Sequence, residues 1–190
     1  ENGSIESISS SSFSGNSATF GGAIYNDGNV GRIDNNSFTN NTANEQGGAI
    51  YAHSSNNIIS NTFSGNTAGT MGGAIYASGT NIIQSNVFTA NEAERGGAIY
   101  ANVSNSITNN IFNSNVATAS GGAIYLNVDS NTVVDNVFTG NTAATGGAIW
   151  ATASNVISSD TFTSNSATLG GAIYASGTNS IISNTFTANQ

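Results

Sequence analysis

The chain has 190 residues, a formal net charge of −8 at pH 7, and only 6% charged residues. Its two cations are Arg32 and Arg95, so nucleic acid and anionic membranes are poor partners, because both require many positive charges to neutralise phosphates. The absence of Cys excludes a disulfide framework and any thiolate site.

Two motifs recur with the same period along the whole sequence. Gly-Gly-Ala-Ile-aromatic occurs in seven copies, 24 to 26 residues apart, that begin at Gly21, Gly47, Gly72, Gly96, Gly121, Gly146 and Gly170. Phe-x-x-Asn occurs in eight copies, at Phe13, Phe38, Phe63, Phe88, Phe112, Phe138, Phe162 and Phe186. A fixed period indicates one structural unit repeated along an axis. We therefore predict a single domain over 1–190, and we expect it to be an excerpt of a longer surface protein because both ends fall inside the repeat.

Each repeat predicts three short strands in chain order. The first contains an apolar β-branched residue five positions before Phe: Ile8, Ile33, Ile58, Ile83, Ile107, Val133, Ile157 and Ile181. The second is x-Phe-Thr, and the third is Gly-Ala-Ile-Tyr-Ala. β-Branched residues favour strands, and apolar columns flanked by polar residues face inward. The sequence thus predicts an all-β fold, a right-handed parallel β-helix of about eight coils with 24–26 residues each.

The corners between these strands are rich in Asn and Gly. Asn stands two residues before and three residues after most Phe residues, and identical amides in successive coils can bond to one another. One Gly of each pair is expected to adopt a positive φ, and the other to leave space opposite the stacked Phe rings. Ala five residues after Phe is expected to face inward.

These motifs resemble those of the chlamydial polymorphic membrane proteins, autotransporter adhesins whose passenger domains carry repeated Gly-Gly-Ala-Ile and Phe-x-x-Asn. The resemblance covers essentially the whole chain, although the Cys residues of that family are missing here. It implies a surface-exposed, extracellular rod that adheres or supports adhesion.

The aromatic residue of each Gly-Gly-Ala-Ile copy is the first candidate for ligand binding. If Ile faces inward, alternation sends the next residue outward, where rings can stack on sugars or on a host protein. The alternative is a ladder packed in a groove that only stabilises the coil. The column consists of Tyr25, Tyr51, Tyr76, Tyr100, Tyr125, Trp150 and Tyr174.

Hydroxyl residues on both sides of Phe form the second candidate surface. Rows of Thr-x-Thr resemble the flat faces of ice-binding β-solenoids, and Ile111 with Asn113 interrupts them. The residues are Ser12, Ser14, Ser37, Thr39, Thr62, Ser64, Thr89, Thr139, Thr161, Thr163, Thr185 and Thr187.

Catalytic and metal signals are weak. Asp135 and Asp160 lie one repeat apart in adjacent columns, whereas glycoside hydrolysis needs two convergent carboxylates. His53 has no Ser-Asp partners in sequence, and the pairs Glu92 with Glu94 and Asp27 with Asp34 lack calcium-loop spacing. We expect no catalytic residues, metal or cofactor.

We therefore predict a non-enzymatic extracellular surface protein, an adhesin-like or structural rod that binds carbohydrate or protein through its lateral faces. The alternatives are an ice-binding protein that uses the hydroxyl face and a polysaccharide-active enzyme. Unpaired terminal strands also favour end-to-end self-association into filaments.

Overall fold

The chain winds into a parallel β-solenoid whose coils stack in register. A computed structural model describes residues 5–28 and 30–190, which contain no helix. Seven full coils are followed by the first two strands of an eighth, close to the eight coils expected. The strand order in every sheet follows the stacking order of the coils, and all pairings are parallel.

The three predicted strands of each repeat are confirmed as three sheets that run along the rod. The Ile sheet contains β1 (Ile5–Ser9), β5 (Val30–Asp34), β9 (Asn57–Ile59), β13 (Ile82–Gln84), β17 (Ser106–Thr108), β21 (Thr132–Val134), β24 (Val156–Ser158) and β27 (Ser180–Ile182). The Phe sheet contains β2 (Ser12–Ser14), β6 (Ser37–Thr39), β10 (Thr62–Ser64), β14 (Val87–Thr89), β18 (Ile111–Asn113), β22 (Val137–Thr139), β25 (Thr161–Thr163) and β28 (Thr185–Thr187). The Tyr sheet contains β4 (Ile24–Asn26), β8 (Ile50–Ala52), β12 (Ile75–Ala77), β16 (Ile99–Ala101), β20 (Ile124–Leu126), β23 (Ile149–Ala151) and β26 (Ile173–Ala175).

A fourth, shorter sheet lies between Phe-x-x-Asn and Gly-Gly and was not predicted. This Ala sheet contains β3 (Ser17–Phe20), β7 (Thr42–Gln46), β11 (Thr67–Ala68), β15 (Glu92–Arg95) and β19 (Val116–Ser120). Isolated bridges such as Thr142 to Ser166 continue it towards the C-terminus. Its register shifts between Ala93 and Arg95, because copies differ by one residue before Gly-Gly. That variable length hid the strand in the sequence.

The core contains the Phe and Ile columns that the sequence assigned to it, together with the Ala and Ile residues of the Gly-Gly-Ala-Ile copies. Phe38, Phe88 and Ile83 are fully buried. Successive Phe rings stack with centroids 4.8–5.0 Å apart. This separation equals the spacing of hydrogen-bonded strands. The distance between neighbouring coils therefore suits both the backbone hydrogen bonds and the stacking of the rings.

Both glycines of each pair are required, but the second has a different role from the one predicted. Gly97 would place a Cβ 2.2 Å from the carbonyl oxygen of Gly122 in the next coil. The missing side chain therefore leaves room for the neighbouring backbone, not for the Phe rings. The first glycine adopts the expected positive φ, 64° at Gly96, and this turn joins the Ala sheet to the Tyr sheet.

Three columns of Asn support the corners, and they are buried except near the ends of the rod. The second column (Asn36, Asn61, Asn86, Asn110, Asn136 and Asn184) precedes the Phe strand, and the third (Asn16, Asn41, Asn66, Asn91, Asn115, Asn141, Asn165 and Asn189) follows it; both were predicted. The first column, two residues before the Ile column, was missed: Asn56, Asn81, Asn105, Asn131, Asn155 and Asn179.

The Asn columns hold corners whose backbone is strained. Ser85 precedes Asn86 with φ 56°, and Ala90 precedes Asn91 with φ 54°. This left-handed conformation costs about 1–2 kcal/mol for a residue other than glycine. Asn86 offsets the cost because its Nδ2 donates to Ile58 O (2.9 Å) and to Asn110 Oδ1 (3.1 Å).

Candidate binding surfaces

The aromatic column forms one continuous stack outside the main core. In each Tyr strand Ile faces the core and the next residue faces away from it, as alternation requires. Tyr100 stacks on Tyr76 at 5.4 Å and on Tyr125 at 4.9 Å, and Tyr125 stacks on Trp150 at 4.1 Å. The stack begins at Tyr25, 4.9 Å from Tyr51, and ends at Tyr174, 6.4 Å from Trp150.

The middle of this stack is buried by a flanking column from the Ala sheet. The flanking column contains Phe20, Gln46, Met71, Arg95, Ser120, Thr145 and Leu169. The glycine turn brings it against the rings, so that Phe20 contacts Tyr51 edge-on and Met71 packs with the Tyr residues. Tyr100 is only 4% exposed, and burial raises its pKa to about 12.

This packing limits how a ligand can reach the rings. Both faces of Tyr76 and Tyr100 are covered by neighbouring rings, so a sugar could contact only ring edges and hydroxyl groups there. Tyr25 is 56% exposed, and Tyr51, Trp150 and Tyr174 are half-buried. Ring faces and edges are thus accessible mainly towards the ends of the stack.

The predicted hydroxyl residues line the outer face of the Phe sheet. Every strand of this sheet presents two side chains outward, on either side of an inward Phe, and the eight strands pair without a register shift. All twelve predicted Ser and Thr residues are exposed or half-buried. Val87, Ile111 and Val137 stand next to one another in one row and Asn113 in the other, so the hydroxyl rows are interrupted in the middle of the face.

The Phe sheet carries no charged residue within its strands, all of which lie in the described part of the chain. Charges lie elsewhere: Glu92, Glu94 and Arg95 are in the Ala sheet, and Asp27 and His53 follow Tyr strands. The Phe sheet is therefore an uncharged, regular surface on a strongly acidic protein.

The two carboxylates considered for catalysis differ in their access to solvent. Asp135 occupies a left-handed corner position with φ 57° and is exposed. Asp160 takes the place of Asn in the second Asn column and is 1% exposed. The two groups therefore do not converge on a common solvent-accessible point, as glycoside hydrolysis requires.

The remaining polar candidates form pairs on the surface. His53 Nδ1 lies 3.1 Å from Ser78 Oγ, and its Nε2 lies 3.9 Å from Asp27 Oδ1. Arg32 contacts Asp34 at 3.2 Å and Arg95 contacts Glu94 at 3.3 Å. No group of three or more His, Asp or Glu residues suited to a metal ion occurs among the described residues.

The repeat units match a known family at six places. The model of the Chlamydia polymorphic membrane protein repeat matches residues 10–27, 37–53, 62–78, 111–127, 137–152 and 161–176. These segments make up more than half of the chain and begin near Phe-x-x-Asn. The chain belongs to the Chlamydia polymorphic membrane protein repeat family. Curated proteins and solved structures gave no significant match.

The polymorphic membrane protein repeat also continues through the unmatched segment 79–110. There Phe88 and Tyr100 pair in register with Phe63 and Tyr76. The unmatched copy has more charged residues in its Ala strand than any matched copy: Glu92, Glu94 and Arg95.

Membership of this family is consistent with a cell-surface or outer-membrane-associated location. In the described part of the chain there is no helix with the length and apolar character needed to cross a membrane.

Proposed function

We propose that this chain is a non-enzymatic, adhesin-like rod exposed outside the cell, which binds carbohydrate or protein ligands through its lateral faces. The observation that carries the proposal is the in-register repetition of two surfaces along one axis, the aromatic stack and the uncharged Phe sheet. Repeated identical contacts favour multivalent binding, in which many weak contacts add to a strong one. Family membership supports the surface location.

The aromatic stack can be tested with a variant that leaves the buried rings in place. We expect Tyr25→Ala to weaken binding to glycan arrays or to host-cell surfaces, because Tyr25 is the most exposed ring of the stack. Ile82→Ala is the matched control, since Ile82 is 45% exposed on the Ile sheet. Binding that survives Tyr25→Ala together with Trp150→Ala would remove the stack from the proposed site.

A second candidate function, ice binding, is favoured by the geometry of the Phe sheet. Its strands repeat at the 4.8–5.0 Å spacing of the Phe rings beneath them, and alternate residues along each strand are about 6.6 Å apart. A regular, uncharged array of hydroxyl and methyl groups can hold ordered water at such spacings.

Thermal hysteresis and ice-shaping assays separate the two functions. If the Phe sheet binds ice, Thr62→Tyr and Thr163→Tyr should abolish the activity, because each ring would stand above the plane of its neighbours. Thr67→Tyr, on the exposed face of the Ala sheet, is the control and should leave it unchanged. No hysteresis in the unmodified protein would reject this candidate and leave adhesion.

We also propose that rods associate end to end through strand pairing. Unpaired strand edges at the end of a β-solenoid accept further strands. Sedimentation velocity over a range of protein concentrations tests this proposal: a monomer at every concentration would contradict it.

A further inference from the structure

The second Asn column has another residue type at two positions: Ser11 at its N-terminal end and Asp160 between Asn136 and Asn184. In the five Asn residues of this column that precede Asp160, the Nδ2 group donates to two acceptors in the neighbouring coils. For Asn61 these acceptors are Ile33 O at 2.8 Å and Asn86 Oδ1 at 3.1 Å. Asp160 has an oxygen atom, Oδ2, where Asn has Nδ2, so it lacks the two N–H donors that make these bonds.

Asp160 is otherwise held as an Asn would be. Its Oδ1 accepts from the backbone N (2.7 Å) and the Nδ2 (3.0 Å) of Asn136, and its own backbone N donates to Asn184 Oδ1 at 2.8 Å. Oδ2 is buried and has no hydrogen-bond partner. Val133 O and Asn184 Oδ1 occupy, relative to Asp160, the positions that the two acceptors Ile33 O and Asn86 Oδ1 occupy relative to Asn61.

Asn184 cannot supply the missing donor by rotating its amide. Its Oδ1 already accepts from the backbone N of Asp160, and its Nδ2 donates to Ile157 O at 2.9 Å. A flip would break both bonds to gain one. A proton on Oδ2 of Asp160 would instead complete the column, because a neutral carboxyl group donates where the amide would.

We propose that protonation of Asp160 controls how firmly the coils on either side of it are held together. With Oδ2 protonated, the carboxyl group links the coils on either side of it in the manner of Asn. With the proton lost, a buried negative charge faces acceptor oxygens, and the strands that follow Asp160, β25 to β28, open more often.

The surroundings of Asp160 place this transition near neutral pH. The pKa of Asp160 is raised to about 7, and burial is the largest cause. Hydrogen bonds from Asn136 and from the backbone of Ser158 act to lower this pKa, and the exposed carboxylate of Asp135, on the preceding coil, acts to raise it. The following coil presents Asn184, which does not titrate. Because the pKa in the folded state is above the ordinary value of 3.8, the stabilisation is complete below about pH 4 and is lost as pH rises towards 7.

Protonation can be measured directly by following the Asp160 carboxyl carbon in a ¹³C NMR titration, with assignment from Asp160→Asn. We expect a midpoint near pH 7. Opening can be measured by amide exchange of β27 and β28, corrected for intrinsic rates. Its equilibrium constant should rise about tenfold per pH unit between pH 4 and 7.

Three variants separate the role of Asp160 from general effects of charge. Asp160→Asn restores both donors and should abolish the pH dependence while keeping the strands closed at pH 8. Asp135→Asn removes the neighbouring exposed carboxylate and should leave most of the pH dependence in place. Asp160→Ser, which introduces the residue type of Ser11 in the same column, should also be insensitive to pH, although less stable.

Three outcomes would each overturn the proposal: a carboxyl midpoint near pH 4, opening of β27 and β28 that does not change with pH, or an unchanged pH dependence in Asp160→Asn. Trp150 offers an independent measurement because it is the single Trp of the chain and stacks on Tyr174 of the next coil. Its emission should shift with the same midpoint as amide exchange.

Discussion

The rings of Phe88 and Phe112 lie parallel in neighbouring coils, with centroids 4.8 Å apart and an angle of 4° between their planes. Each ring also contacts another ring on its opposite face. Removing one ring therefore creates a cavity with two aromatic walls, and the coils cannot close it without breaking the backbone ladder between them.

We predict that Phe112→Ala lowers the free energy of unfolding by about 3–5 kcal/mol, the cost of deleting a buried aromatic side chain. Chemical denaturation followed by circular dichroism measures the loss. Phe20→Ala is the control, because Phe20 is half-buried outside the main core, and it should cost clearly less. Equal losses for the two variants would contradict the importance of the ring stack.

Replacing one Asn of a buried column should destabilise several coils at once. Asn86→Ala removes the side-chain hydrogen bonds to Ile58 O and to the buried backbone N of Asn61. Each unpaired buried group costs about 1–3 kcal/mol, so thermal unfolding should occur at a clearly lower temperature. Asn57→Ala, which removes an exposed amide from the Ile sheet, should change the midpoint little. A similar shift for both variants would argue against a structural role of the column.

The two kinds of glycine should respond differently to Ala. Gly97→Ala places a methyl group against Gly122 O and Val116 O of the next coil, and we expect loss of the folded state or separation of these coils. Gly15 has φ 65° and open space around its missing Cβ, so Gly15→Ala should cost only the backbone strain, about 1–2 kcal/mol. Expression, solubility and denaturation of the two variants test this difference. A well-folded Gly97→Ala protein would show that the coil spacing is adjustable.

Tyrosine ionisation should report the burial of the aromatic stack. The pKa of Tyr100 is raised to about 12, first by burial and then by Tyr125 and Tyr76. Because the folded state favours the neutral phenol, stability should be constant below about pH 10 and fall as pH rises towards 12. An ultraviolet titration of the unmodified protein and of Tyr100→Phe gives the late-ionising component by difference. If no such component exists, Tyr100 is more accessible than the structure indicates.

The core could be predicted from the sequence because a position that has the same residue type in every repeat has the same surroundings in every coil. The Phe column, the Ile column and two Asn columns were therefore located correctly. The Ala sheet was missed because its strands differ in length between copies, which places Glu45, for example, at a position that the shortest copies lack. The first Asn column was missed because Glu6 and Gly31 occupy its first two positions. A signal was present, because this Asn stands two residues before an inward side chain, just as the Asn of the second column stands two residues before Phe.

The surfaces were harder to predict than the core. Alternation correctly sent Tyr100 away from the core, but it could not show that the glycine turn folds Met71 and Arg95 against the stack. That contact depends on the angle between two sheets, which no single repeat encodes. Similarly, the space that Gly97 leaves is filled by the backbone of the next coil, so its role appears only when two coils are stacked.

The Asn columns also determine how the rod responds to mechanical load. Their amide-to-amide hydrogen bonds run parallel to the solenoid axis, so a force that pulls the two ends apart is shared by three parallel lines of bonds as well as by the sheets. At Asp160 one of these lines lacks its side-chain link to the following coil. Under tension, the coils should separate more readily at this junction than at junctions where all three lines of bonds are complete.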